Sequence, residues 1–292
     1  MDEDRIRLQK GGLTLEVSPV GGAILSASFE GRSILQTVPS PGLATQVFGG
    51  EACFPLVPFG NRIEGNGFQI DGRDYHLAPN TADPLVLHGD GWLRHWALAE
   101  RSEHSITLTL HHPADAGSPY HYSAEQVIAL THDALVVRLS VTHHGQQPLP
   151  YGLGFHPNFP RTPATRLTAE AETYWTERAQ HLPNQPLPLP ADLRIDQGTR
   201  LPARWLNNAL DGWGGTARID WPEIGLGVTL TTEPLCRHLV VYAPSPEQPF
   251  VSIEPMTHRP NAHHAGAEAG LVLLATGESL HAAMTLRVER SG

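Results

Sequence analysis

Apolar residues recur at every second position along nearly the whole chain, in short runs broken by glycine and proline. "LTLEV" places Leu13, Leu15 and Val17 on one face, and "SITLTLH" does the same with Ile106, Leu108 and Leu110. "LVVRLSV" aligns Leu135, Val137, Leu139 and Val141, "GLGVTLT" aligns Leu226, Val228 and Leu230, and "AMTLRV" aligns Met284, Leu286 and Val288. Successive side chains of a strand point to opposite sides, so this period buries one face of each run. In "FQIDGRDYHL", Phe68 and Ile70 precede an Asp71–Gly72 turn and Tyr75 and Leu77 follow it, which reads as a hairpin. No window of a dozen residues carries a helical stripe, and 28 glycines with 26 prolines interrupt the chain too often for long helices. The expected fold class is all-β, a large antiparallel β-sandwich. Nothing repeats at a fixed period, which sets aside propellers and solenoids. "LPNQPLPLP", residues 182–190, is the best linker candidate; it is too short to separate two units and reads as an extended loop crossing one β-domain over 1–292.

Charge narrows the partners. With 30 acidic against 20 basic side chains the net charge is −10, and no stripe of Lys and Arg forms, so nucleic acid is not an expected partner. The charged start "MDEDRIRLQKGG" is no signal peptide and no apolar run is long enough to span a bilayer; the expected setting is the cytoplasm, without membrane association. There, Cys53 and Cys236 read as two buried thiols rather than a bridge. Seventeen histidines include the pairs His111–His112, His143–His144 and His263–His264, with His121 nearby. Neighbours on a strand face opposite sides, so such pairs rarely give two ligands to one ion; no metal site is expected, and most of these histidines should be solvated.

Four segments carry residues suited to chemistry. In "FPLVPFGNRIEGNGF", Asn61 and Arg62 follow a proline-bounded strand, where the guanidinium fork could hold hydroxyls or an anion, or form a surface ion pair. In "LVLHGDGWLRHW", His88 enters a glycine turn with Trp92 and Trp96 behind it. Rings that stack on the C–H face of a sugar beside a hydrogen-bonding imidazole fit this pattern, as does a core tryptophan pair. In "YGLGFHPNFP", His156 lies in a stiff, uncharged frame, either as a packed structural histidine or as an oriented proton donor. In "FVSIEPMTHRPNA", Val251 and Ile253 share one face, Phe250, Ser252 and Glu254 take the other, and Pro255 is expected to end the strand. A carboxyl at such a strand end is costly unless paired, and desolvation would raise its pKa toward that of a useful base.

"FGNRI", "LHGDGW", "GFHPNF", "LDGWGGTARI" and "VSIEPMTHRPNA" occur in the order and approximate spacing of the aldose 1-epimerase (galactose mutarotase) family, which the chain resembles from about residue 15 to 289. "HYSAEQVIAL" and "LLATGESLHAAMTLRV" are similar to its central and closing strands. The resemblance implies a β-supersandwich with a site on the concave face of a large sheet, no cofactor, and a monosaccharide substrate for a monomer or homodimer. It implies His156 as general acid, Glu254 as general base, and Asn61, Arg62, His88 and Trp92 as sugar contacts. The family's hydroxyl-binding aspartate falls on Asn207 in "WLNNALDGW", with Asp211 four residues on. Asn158 stands where an aromatic is frequent. The implied activity is interconversion of the α and β anomers of a free aldohexose. Two alternatives stay open: a hexose-6-phosphate 1-epimerase, with Arg94, Arg161 or Arg259 near the phosphate, and a sugar-binding protein without catalysis.

Overall fold

A computed structural model describes residues 5–37 and 51–290. Two large antiparallel sheets face each other. The first has nine strands, ordered Thr199–Arg200, Arg166–Ala169, Thr216–Trp221, Leu226–Thr232, Ser279–Arg290, Ala134–His143, Tyr122–Leu130, Ser105–His112 and Ala97–Arg101. The second has eight: Pro183–Leu187, Thr173–Glu177, Leu206–Asp211, His238–Ala243, Phe250–Met256, Gly154–Phe155 and Pro55–Leu56, with Asn158–Pro160 also paired to Phe250–Met256. A four-stranded sheet of Ile6–Lys10, Leu13–Ser18, Ala23–Phe29 and Arg32–Leu35 precedes them. Helical pieces among the described residues are 3₁₀ turns of three residues, so none is long and apolar enough to cross a membrane.

The period-two pattern holds the layers together. Leu13, Leu108, Leu139, Leu230 and Leu286 lie in one buried cluster with Leu239, Val241, Val251 and Ile253 of the eight-stranded sheet. Each such side chain contributes roughly 1.5–3 kcal/mol by leaving water. The predicted hairpin forms, with Phe68 opposite Tyr75 and positive φ at Asp71 and Gly72, as a tight primed turn requires. Both cysteines are free and buried.

Three expectations are corrected. Residues 183–187 are not loop: Pro183–Leu187 pairs with Thr173–Glu177 as the edge strand of the eight-stranded sheet. It carries no alternation because four of its five residues are exposed, and prolines are tolerated on an edge where no ladder donor is needed. Nor does Pro255 end its strand, which runs on to Met256. The Ile253 and Thr257 N–H groups donate to Pro157 O and Leu153 O on one side. Pro255 sits between them in that alternation, so its missing donor coincides with the break between Gly154–Phe155 and Asn158–Pro160. Fewer histidines than expected are solvated: His88, His112, His143, His238 and His258 are buried.

Candidate active site

The eight-stranded sheet has two unlike faces. Leu206, Leu210, Leu239, Val241, Val251 and Ile253 enter the main core. On the other face Leu56, Ala209, Val240 and Met256 form a small apolar cluster, and Asn207, Tyr242 and Glu254 beside it line a cavity of about 370 Å³. Strand register gathers them: Asn207 pairs with Tyr242, and Val240 with Glu254. A cavity of this size suits a small molecule.

His156 reaches the cavity from the break in the adjoining strand. A Cβ on Gly154 would lie 2.7 Å from Met256 Cγ and 2.9 Å from Pro255 O, so only glycine lets this segment press against the strand that carries Glu254. The His156 N–H donates to Phe54 O at 3.0 Å, and the Phe54 ring stacks on the imidazole at 4.3 Å and 17°. This frame sets Nε2 at 3.2 Å from Glu254 Oε1, with side-chain exposures of 13% and 3%. The outer atoms of the pair, His156 Nδ1 and Glu254 Oε2, are buried without a hydrogen-bond partner. Each orphan costs about 1–3 kcal/mol. Burial lowers the His156 pKa to about 4. Burial raises Glu254 to about 8, against the charge of Arg62. Desolvation thus favours the uncharged forms of both, with a single proton on the pair at neutral pH.

His88 is held differently. Its Nδ1 accepts the Asn61 N–H at 3.0 Å, and its own N–H donates to Asn61 O at 2.8 Å. Asn61 and His88 both have positive φ, 58° and 59°, a backbone state that costs about 1–3 kcal/mol at each non-glycine residue. With Nδ1 accepting, neutral His88 carries its proton on Nε2. Burial, followed by the charges of His156 and Arg62, holds its pKa well below the usual range, so it stays uncharged.

One group of three side chains among the described residues brings possible metal-ligand atoms within 4.8 Å of one another: His88, His156 and Glu254. The tautomer of His88 opposes ligation, because the lone pair at Nδ1 is engaged and Nε2 is protonated. The residues present do not fit a resident ion.

Arg62 Nε and Nη2 donate to Asp83 Oδ2 at 2.9 and 2.7 Å, an ion pair with side-chain exposures of 13% and 14%. It is a half-buried clamp rather than a surface pair. Asn158 is fixed by its Nδ2 bond to Glu51 O and by the Ser252 hydroxyl on its Oδ1. Trp92 lines the cavity, while Trp96 belongs to the core.

A model of the family described as aldose 1-epimerase matches residues 4–287. The chain belongs to the aldose 1-epimerase family. An uncharacterised protein of Escherichia coli K12, YphB, is 41% identical over 97% of this chain and 98% of its own length. A crystal structure of an E. coli K12 protein superimposes with a TM-score of 0.91 at 39% identity, covering 98% of this chain and 99% of that one. A galactose mutarotase-like protein from Clostridium acetobutylicum shares the fold at 17% identity, with a TM-score of 0.84 and coverages of 98% and 95%.

The fold brings Asn61, Arg62, His88, Trp92, His156, Asn207 and Glu254 of this aldose 1-epimerase family member to one cavity. Asp211 lies elsewhere, receiving Trp175 Nε1, His238 Nδ1 and Arg259 Nη1 at 2.7, 2.6 and 3.0 Å. The three arginines considered for a phosphate are absent from the cavity wall. Arg259 is spent on Asp211, Arg161 donates to Ser245 O and Pro202 O, and Arg94 lies 3.0 Å from His112 Nε2. Phe54, His181, Trp205 and Tyr242 also line the cavity, and sequence reasoning missed them. Phe54 opens the "FPLVPFGNRI" motif and was legible as an aromatic at a strand start; the other three depend on register and loop path.

Proposed function

We infer that the protein is an aldose 1-epimerase that interconverts the anomers of a free aldohexose, with His156 and Glu254 moving the protons. The observation that carries this reading is the 3.2 Å approach of His156 Nε2 to Glu254 Oε1 on one small cavity. Ring opening breaks C1–O5 and forms the C1=O1 carbonyl. Glu254 as carboxylate takes the proton from the C1 hydroxyl, and His156 as imidazolium gives one to the ring oxygen. Rotation about C1–C2 turns the other carbonyl face to the C5 hydroxyl. Closure then returns one proton to His156 and takes one from Glu254. The pair holds one proton before and after each half-reaction, so no exchange with solvent is required.

The empty site favours the neutral distribution, which is also that of the open-chain stage. A sugar entering between the two groups meets His156 Nε2 and Glu254 Oε1, and the Arg62 charge favours the carboxylate. His88, with its proton fixed on Nε2, acts as a donor to the sugar. Arg62, Asn61 and Asn207 bind hydroxyls, and Trp92 stacks near Phe54 (5.2 Å, 27°) as apolar wall.

Substrate charge follows from the lining. Glu51 and Asp83 line the cavity, and Arg62 is already paired with Asp83. An added phosphate dianion would meet acidic groups and no free arginine fork. Polarimetry of fresh α-D-glucose or α-D-galactose should show enzyme-accelerated mutarotation, with kcat/KM for glucose 6-phosphate at least about tenfold lower, equivalent to about 1.4 kcal/mol. Preference for the phosphorylated sugar would reverse the substrate assignment, and binding without acceleration would leave a sugar-binding protein.

The pKa directions give a pH profile. At low pH the pair gains a second proton and Glu254 is no longer a base; at high pH the last proton leaves and no acid remains. Log kcat/KM should be flat between limbs near pH 4 and pH 8, falling on both sides. A midpoint near 6.5 on the acid side would indicate a solvated histidine and remove His156 from its place in the pair.

A further inference from the structure

Three residues lining the cavity converge on one carboxylate that is not itself part of the lining. Glu177 Oε1 accepts from Asn207 Nδ2 at 3.0 Å and also meets His181 Nδ1, and its Oε2 accepts from Trp205 Nε1 at 2.8 Å. Asn207, His181 and Trp205 all line the cavity. The register Thr173↔Asp211 and Tyr174↔Leu210 sets the two strands side by side, with Glu177 and Asn207 further along them. The pairing with Pro183–Leu187 shifts register between Trp175 and Glu177. The turn that returns His181 to Glu177 holds Gln180 and His181 at φ of 60° and 59°. Two adjacent non-glycine residues in that region are strained, and they are kept there beside the cavity.

We propose that Glu177 is the positioning residue of a hydroxyl-binding wall, fixing the Asn207 amide so that its carbonyl oxygen faces the sugar and locking Trp205 as a stacking plate. A carboxylate accepts at both oxygens and donates at neither. Asn207 must therefore turn its NH₂ to Glu177, which leaves Oδ1 as the atom presented to a ligand. The carbonyl oxygen of this neutral amide is thereby able to take a sugar O–H as a carboxylate would, with the second amide N–H still able to donate. Trp205 is 40% exposed yet bonded at Nε1, and its ring meets Tyr242 edge-on at 5.4 Å. His181 also lies against the ring, at 5.4 Å and 33°, and the exposed remainder gives the cavity wall an aromatic surface suited to the C–H face of a pyranose. The ligand class is a neutral, hydroxyl-rich monosaccharide, so the inference rests on the sugar-site reading above.

The test separates binding from chemistry. Glu177→Ala should raise KM for α-D-glucose or α-D-galactose about tenfold and leave kcat within about twofold, because no proton passes through Glu177. Asn207→Asp alone, placing two carboxylates against each other, should raise KM at least as far. The exchanged pair Asn207→Asp with Glu177→Gln restores one donor and one acceptor with their owners reversed, and should bring KM back to within about threefold of the wild type. A KM unchanged in E177A, a loss confined to kcat, or an exchanged pair no better than N207D would overturn the proposal; thermal unfolding of each variant identifies a folding defect. If the wild-type protein accelerates no mutarotation, the catalytic reading fails while the wall remains testable. Equilibrium binding of D-galactose, read by tryptophan fluorescence, should then weaken about tenfold in E177A and recover in the exchanged pair, and equal affinities would reject it.

Discussion

Replacing Glu254 by glutamine is expected to lower kcat for mutarotation by about 10²–10⁴-fold, or about 3–5 kcal/mol, while the protein folds and keeps its sugar affinity within a few-fold. Gln has the shape of the buried acid and can still meet His156 and the sugar by hydrogen bonds, but it cannot take a proton from the C1 hydroxyl. Stability should move the other way. Burial raises Glu254 to about 8 in the folded chain, whereas an unfolded chain releases that proton near the ordinary carboxyl value. Between those values the folded state holds the extra proton, so this group's contribution is greatest below pH 4.5 and is lost as pH rises to about 8. Glutamine has no such dependence. The melting temperature of E254Q relative to the wild type should therefore rise from pH 5 to pH 7.5, as measured by thermal unfolding across that range. A variant that loses activity and stability together, by the same amount at every pH, would make Glu254 a structural acid. Full activity in folded E254Q would remove it from the base role.

The sheets were legible in the sequence where one face meets core and the other does not. Leu135, Val137, Leu139 and Val141 alternate with half-buried or exposed neighbours and read directly as a strand. The same rule is silent at Pro183–Leu187, whose residues lie mostly in solvent. At Phe250–Met256, buried on both faces, it finds the strand but not its end, because Pro255 is accommodated by a broken neighbour strand that no local pattern announces. The site divides in the same way. His156, Glu254, Arg62 and His88 stand in compact motifs with unusual local chemistry. Glu177 sits in a half-buried strand without apolar alternation and gains meaning only from its pairing with a residue 30 positions away. The buried histidines escaped notice for a related reason. His258 donates from Nδ1 to the adjacent Arg259 O, but its Nε2 accepts the N–H of Gly60, 198 positions away. Cross-strand register, rather than composition, decides such partners.

His156→Gln should match the Glu254 defect, with kcat lowered by about 10²–10⁴-fold, and the reason lies in its contrast with His88. Both imidazoles face the cavity, edge to face with centroids 5.2 Å apart, so proximity alone does not choose between them. His88 has Nδ1 committed to the Asn61 N–H. To serve as an acid it would have to become an imidazolium, breaking that bond in a pocket that already disfavours its charge. His156 has Nδ1 unbonded and Nε2 against Glu254, so its ring can gain and lose a proton without dismantling any backbone contact. Because the proton passes between two partners, removing either strands the other. The double variant E254Q/H156Q should then be no more than a few-fold slower than the worse single variant, far from the product of the two losses. His88→Gln, by comparison, should act mainly on KM. Multiplicative losses in the double variant would place the two residues in separate steps. Retention of more than about a tenth of kcat in H156Q would transfer the acid role to another group on the same cavity.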